Sequence, residues 1–256
     1  MDPYLYALIS TFVPEHSEIL TELANGLLIK EIKNGNTYAN GVLHSFNDEP
    51  AMILDDGNKE WYKNGLLHRD NDLPAVVWTN GSEEWWQNGE LHRDNDLPAY
   101  VEDDQLQIWY QHGQKHRDND LPAEIHPDGS KEWYQNGKRH RDNDLPAIIL
   151  DDGSEEWYQN GLIHRDNDLP AKIYLSGIHQ WYQNGLLHRD NDLPAVIYSC
   201  GIQQWYQNGL LHRDNDKPAV IWADGEQEWY QHGNLKRSVF NNEIPRDRSC
   251  TNCIIS

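Results

Sequence analysis

Residues 181–204 read WYQNGLLHRDNDLPAVIYSCGIQQ, a 24-residue sentence written eight times between Thr37 and Glu228. Tryptophans keep the register at Trp61, Trp85, Trp109, Trp133, Trp157, Trp181, Trp205 and Trp229, with no insertion between them. The first copy is degenerate, with Thr37 in the tryptophan slot and Ser45-Phe46 in place of the Arg-Asp pair. A fixed period in the range of roughly 20–50 residues marks stacked supersecondary units, none of which buries a hydrophobic face alone. A chain built this way offers an extended surface rather than a single cleft.

Two turn signals organise each repeat. Asn-Gly recurs at 64–65, 88–89, 136–137, 160–161, 184–185 and 208–209, with His-Gly in that slot at 112–113 and 232–233. Asn-Gly favours a two-residue type I′ hairpin, because both central residues need positive φ. Asp-Gly or a relative follows at 80–81, 128–129, 152–153, 176–177, 200–201 and 224–225, whereas Asp104-Gln105 breaks the pattern and predicts a looser hairpin. The first turn places Gln159 opposite Leu162, Tyr158 opposite Ile163, Trp157 opposite His164 and Glu156 opposite Arg165. Glu–Arg pairs are thus expected at Glu60–Arg69, Glu84–Arg93, Glu132–Arg141 and Glu228–Arg237. Read as a two-residue loop, Asp152-Gly153 sets Ile148 opposite Trp157 and Ala147 opposite Tyr158. The segment from Asp70 to Leu73 and its equivalents leaves the sheet as a bulge or loop, since Asp and Asn bond their own backbone and Pro74 ends the pairing.

The expected fold is all-β: an elongated antiparallel β-hairpin repeat array, as a twisted single-layer sheet or a solenoid, with a short N-terminal helical cap. Residues 1–36 form the cap, residues 37–236 carry the eight repeats and a partial ninth, and residues 237–256 make a tail. Pro14 to Asn25 has helix-forming composition, early acidic residues and Gly26 as a stop, with Ile19, Leu20 and Leu23 on one face. At roughly 4.8 Å per strand, two strands advance about 10 Å, and eight repeats extend on the order of 75 Å.

Composition restricts the function classes. A formal charge of -21 opposes a nucleic-acid footprint, which needs clustered Lys and Arg, and it repels an anionic membrane surface. Eleven Trp and thirteen Tyr against three Phe suit half-buried sheet faces better than a thick aliphatic core. Three cysteines make no disulfide scaffold, so a reducing, cytoplasmic setting is expected. Tyr4–Val13 is too short to span a bilayer and lacks a basic leader.

The motif Trp-Tyr-x-Asn-Gly-x-x-His with a downstream turn glycine resembles the MORN repeat over about residues 37–236. It is most similar to divergent viral and bacterial relatives that carry His-Arg, an acidic stretch and Pro-Ala, including arrays of large DNA viruses of protists. The resemblance implies an elongated antiparallel sheet used for protein contacts and sometimes for membrane association, in a host cell if the chain is viral. Here His-Arg-Asp-Asn-Asp replaces the family's His-Gly-x-Gly, which makes the loop bulkier and acidic.

Four chemistries are open to these residues. Repeated Asp-x-Asp, as at Asp94 and Asp96, Asp118 and Asp120, and Asp142 and Asp144, offers oxygens to calcium, but two carboxylates beside an arginine fall short of the six to eight ligands it takes. No metal site is therefore assigned, and zinc through the lone histidines is weaker still. An enzyme is not expected: each repeat carries the same His and Asp, with no unique nucleophile converging on them. The aromatic stripe of Trp85, Trp109, Trp133, Trp157, Trp181 and Trp205 is the candidate interaction surface for an unidentified protein partner. Alternatively it cages a cationic ligand, as the similar choline-binding hairpin repeats suggest, although their second Gly-Trp pair is missing here. No cofactor is expected apart from a covalent lipid. The chain ends Cys253-Ile254-Ile255-Ser256, a prenylation box whose terminal Ser favours farnesyl, with Cys250 upstream as a palmitoyl candidate. A stable tether takes two such signals. From Lys236 onward the local charge is +2, leaving -23 on the rest, so only the tail suits the cytosolic face of a membrane. The expected function is a non-enzymatic repeat scaffold for protein–protein interaction, tethered through that tail. The alternative is a ligand-binding solenoid with aromatic cages or calcium in the loops.

Overall fold

A computed structural model describes residues 30–102 and 105–240. The expected helix at Pro14 to Asn25, the Asp104 turn and the tail with Cys250 and Cys253 lie outside the described residues. Within them the chain is all-β, with antiparallel strand pairing, in two compact units that divide after Asp104.

In the first unit, Lys30–Lys33, Asn36–Ala39 and Val42–Leu43 make a three-stranded sheet. A ladder follows through Met52–Ile53, Lys59–Glu60, Val76–Val77, Glu83–Glu84 and Tyr100–Glu102. In the second unit the same ladder runs from Leu106–Ile108 through Glu155–Glu156 and Lys172–Ile173 to Gln227–Gln231 and Asn234–Val239. Most rungs are only two residues long. Beside the ladder, each repeat carries a separate two-stranded hairpin, such as Tyr158–Gln159 with Leu162–Ile163.

The hairpin register agrees with the Asn-Gly reading: Tyr158 faces Ile163 and Gln159 faces Leu162. Asn160 and Gly161 both hold positive φ, +52° and +87°, as a type I′ turn requires. Successive hairpins are joined by one backbone bond, Gly185 N–H to Ile163 O at 2.9 Å.

The Asp-Gly turn differs from expectation by one residue. Leu150 N–H donates to Ser154 O at 2.9 Å and Gly153 N–H to Leu150 O at 3.0 Å, enclosing the three residues 151–153. Gly153 takes φ of +85° while Asp152 stays in the ordinary region, the three-residue loop in which a turn is followed by a left-handed glycine. Asp152 Oδ1 accepts Ser154 N–H at 2.7 Å and closes the turn. Ile148 therefore faces Glu156, not Trp157, and Ile149 faces Glu155. A one-residue shift moves every side chain to the opposite face.

The expected Glu–Arg pairs are also absent, because the hairpin pairing ends at Tyr158 and Glu156 lies on a ladder rung between Ile148 and Lys172. Glu156 instead accepts Tyr158 Oη–H at 2.9 Å and Lys172 Nζ–H at 2.9 Å. Glu132 accepts from Tyr134 and Arg139, at 2.7 and 2.8 Å, on the same half-buried row. Burial raises the Tyr134 and Tyr158 phenols above their ordinary value and pushes Tyr182 up to about 12, so they remain neutral donors.

Trp157 sits where ladder and hairpin part. Its N–H donates to Ala171 O at 2.8 Å, and its carbonyl accepts His164 N–H at 3.0 Å. Trp157, Ile163 and Ala171 form a buried cluster, with Tyr158, Ile173 and Tyr182 packed against it. Ring burial of this kind removes on the order of 200 Å² from water per tryptophan, worth roughly 5 kcal/mol at most. The paired alanines are fully enclosed, at 0% exposure from Ala51 to Ala219. At Ala171 a larger side chain would have to enter the packed cluster of Trp157 and Ile163. Ala171→Val should lower stability by about 1–3 kcal/mol, read as a shift in the denaturant midpoint, while Leu169→Ser two residues away should leave it nearly unchanged. Equal effects of the two changes would refute this packing.

Candidate functional site: the interlocked loops

The Asp-Asn-Asp detour is a turn in its own right. Asn167 and Asp168 both adopt positive φ, +60° and +55°, and Leu169 N–H returns to Asp166 O at 3.3 Å. Two successive left-handed residues without a glycine are tolerated by Asn and Asp better than by other side chains. The second of the two also needs a side chain, for the following reason.

At the junction entering Trp157, the Arg165 guanidinium lies over the indole, 3.8 Å from its centroid. Arg165 Nε and Nη2 donate to the two carboxylate oxygens of Asp144 at 2.8 and 2.9 Å, and Nη1 donates to Pro170 O at 3.3 Å. The Trp157 indole N–H donates to the backbone carbonyl of the same Asp144 at 3.0 Å. One aspartate in repeat n thus holds the ring and the cation of repeat n+1, spaced 13 and 21 residues downstream. The lock recurs at Asp48 with Arg69, Asp72 with Arg93, Asp120 with Arg141, Asp168 with Arg189 and Asp192 with Arg213. Every repeat tryptophan carries an arginine 3.7–3.9 Å above it. At the last junction the lock loosens, with Arg237 3.7 Å from an Asp216 side chain that is 85% exposed.

The first aspartate of each loop has a different task. Asp166 accepts from Gln159 Nε2 at 2.9 Å and from His164 Nε2 at 3.1 Å. His164 Nδ1 accepts the backbone N–H of Asn184 in the next hairpin at 3.0 Å. Since Nδ1 is an acceptor, the ring proton resides on Nε2 and points at Asp166. The same latch joins His44 to Asn64, His140 to Asn160 and His188 to Asn208.

These contacts set the electrostatics. Arginine hydrogen bonds hold Asp120 and Asp144 below the usual carboxylate range, and bonds from glutamine and histidine do the same for Asp118, Asp142, Asp166 and Asp190. Asp192, bonded by Arg213 and then Lys217, falls to about 2.

The structure relocates the expected interaction residues. Trp85, Trp109, Trp133, Trp157, Trp181 and Trp205 are only 6–7% exposed, and an internal arginine already covers a face of each. They pack the array; they do not present a stripe, and an external cation would have to displace that arginine. The expected calcium oxygens are separated by role: Asp94, Asp118 and Asp142 bond His and Gln of their own repeat, while Asp120 and Asp144 bond the next arginine. Asp96 occupies the same left-handed turn position, with φ of +56°. Among the described residues, no three His, Cys, Asp or Glu side chains are grouped to hold a metal ion, and no helix is long and apolar enough to cross a membrane. Cys200, at the tip of the turn between Tyr198 and Ile202, is disulfide-bonded, a state that a reducing compartment disfavours.

Sequence reasoning missed the lock, although the terminal copies carry its signature. The first copy loses Trp and Arg together, as Thr37 and Ser45, yet keeps Asp48. The last keeps Trp229 and Arg237 but has Phe240 in the aspartate slot. Two leucine rows face outward, one on the hairpins at Leu66, Leu162, Leu186 and Leu210 and one on the loop edge. Leu73, Leu97, Leu121, Leu145, Leu169 and Leu193 are each 37–38% exposed, beside the exposed first aspartates. A groove of about 410 Å³ lies between the loops at 164–168 and 188–191.

No protein-family profile matches the chain, and no curated protein matches it either. The structure supports a repeated β-hairpin architecture.

Two measurements test the lock. A double-mutant cycle of Asp144→Ala and Arg165→Ala should give a coupling of about 1–3 kcal/mol, whereas additivity would show that the pair contributes nothing. A carboxylate with a depressed folded pKa stabilises the fold above its unfolded value and loses that contribution as pH falls through the folded one. For Asp192 this window runs from 3.8 to about 2. The fall in melting temperature across it should be shallower in Asp192→Asn, which should also melt below wild type at neutral pH in low salt. Parallel profiles for the two chains would contradict this role.

Proposed function

We propose that this chain is a non-enzymatic, MORN-like repeat scaffold that presents its loops to a protein partner. The supporting observation is the lock itself. The second aspartate of loops such as 142–145 and 166–169 is fixed by the following repeat, so the first aspartate and the leucine are held outward at a constant interval. The polar groups that resemble catalytic sets, His164 with Asp166 for example, recur in each repeat and bond one another and neighbouring backbone. Catalysis needs a nucleophile, an orienting group and an oxyanion donor at one place, and a repeated latch supplies none of these in company.

The test is position-specific photocrosslinking of the full chain in cells. A photoreactive residue at Leu169 should give a discrete protein adduct, and one at the buried Ile148 should give none. Adducts absent from every exposed loop position would refute the scaffold reading.

The same proposal includes a tether to a cytosolic membrane face through Cys253, supported by the tail sequence Cys253-Ile254-Ile255-Ser256. The mature C-terminus, weighed with and without reduction, should carry a farnesyl group, and Cys253→Ser should leave the membrane fraction. An unmodified terminus removes the tether and leaves the scaffold a soluble ribbon.

A further inference from the structure

The scaffold reading leaves the chemistry of its partner open, and the loop edge narrows it. In the second unit, Leu121, Leu145, Leu169 and Leu193 recur once per repeat at 37–38% exposure. Beside them stand Asp118, Asp142, Asp166 and Asp190, with side chains 64–66% exposed. Their hydrogen bonds to histidine and glutamine keep these carboxylates ionised. Between the loops at 164–168 and 188–191 lies a polar groove of about 410 Å³. The surface therefore alternates an apolar contact and an anion, in register over four repeats.

The interval matters as much as the chemistry. Each repeat adds two ladder strands, an advance of about 10 Å. A polyproline II helix has three residues per turn and rises about 3.1 Å per residue, so equivalent side chains recur every ~9 Å on one face. A fully extended strand alternates faces, and its same-face interval of ~7 Å falls out of step with the loops after one repeat. Docking such a helix carries a low entropic cost, because the ligand is already ordered. The chain's charge of -21 calls for a cationic occupant.

We propose that the loop edge of residues 118–193 docks a polyproline-type peptide segment with a basic side chain at every third residue. The basic groups meet Asp118, Asp142, Asp166 and Asp190, and the intervening prolines rest on the exposed leucines. This proposal rests on the scaffold reading and specifies its ligand.

The experiment is fluorescence anisotropy of the full chain with a labelled peptide of five Arg-Pro-Pro units. Its isomer with the five arginines contiguous serves as the control. The periodic peptide should bind at least about tenfold more tightly than its isomer, since several loops engage it at once. Binding should weaken with salt. Leu145→Ser/Leu169→Ser/Leu193→Ser should cost about tenfold, with an unchanged circular-dichroism spectrum as expected for exposed positions. Asp142→Asn/Asp166→Asn/Asp190→Asn should abolish the preference for the periodic peptide. Equal affinity for both peptides would reduce the surface to net charge and overturn the proposal. So would unchanged affinity in the leucine variant. Sedimentation of the chain alone provides a further check: self-association lost in the leucine variant, without peptide binding, would assign the edge to a second copy. Photocrosslinks to a cellular protein alongside failed peptide binding would leave the scaffold reading intact and reject only this ligand.

Discussion

The bidentate grip of one repeat's aspartate on the next repeat's arginine is the contact on which the array depends. It solves a specific problem. The return segment is too long to run beside its partner strand, so it must leave the sheet and come back at the buried alanine. The detour exposes backbone carbonyls and forces Asn167 and Asp168 into left-handed geometry. Arg165 fills the centre of that detour, satisfies Pro170 O, covers the indole and reaches across to Asp144. A guanidinium suits this position because its planar fork stacks and bonds simultaneously, which a lysine ammonium does not do. The cation is largely withdrawn from solvent, yet three of its nitrogens have acceptors, so desolvation is compensated.

The chain contains its own control for this reasoning. In the last copy no turn and Pro-Ala follow Arg237, and there the strand Gln227–Gln231 runs unbroken through Trp229. It pairs directly with Asn234–Val239, placing Trp229 opposite Arg237, with only a bulge before Tyr230. In every complete repeat the equivalent tryptophan divides a ladder rung from a hairpin strand. The detour, and not any property of Glu-Trp-Tyr-Gln, splits the strand. Repeats without the detour would form one long hairpin ribbon; repeats with it form a ladder and a separate hairpin with tryptophan between them.

Much of this was readable from residues alone. The unbroken period specified an all-β repeat, and Asn-Gly specified hairpin register down to Tyr158 opposite Ile163, because positive φ at two positions leaves few alternatives. The Asp-Gly register was misread because that dipeptide also suits the end of a three-residue loop, where only the glycine needs positive φ. Glu156 was assigned to Arg165 for a separate reason: the Asn-Gly pairing was carried past Trp157, where the strand divides and leaves Glu156 on a ladder rung bonded to Tyr158 and Lys172. The tryptophans were misplaced for a related reason. A polar-tipped ring recurring on a regular stripe looks like a surface feature until its N–H and its face are both accounted for, and the partners for both lie in the preceding repeat and the same loop. Contacts that span 13 and 21 residues follow no local propensity. They are visible only where a terminal copy loses one member, as Thr37 and Ser45 show at one end and Phe240 at the other.

The lock also explains why the two aspartates of one loop cannot be regarded as equivalent. Asp168 is bound to the next repeat through both side chain and carbonyl, so losing its carboxylate would free Arg189 while the indole of Trp181 keeps the backbone acceptor. Asp166 bonds only within its own repeat, and its side chain is about two-thirds exposed. Selection for cohesion therefore acts on the second aspartate, and any selection for recognition has the first aspartate and the adjacent leucine to act upon. At Lys217 the leucine is replaced by a cation that turns back to Asp192, so the apolar edge stops one loop before the array does. The apolar edge is thus bounded by side-chain identity and not by loss of structure, and its length is set independently of the number of repeats that build the array.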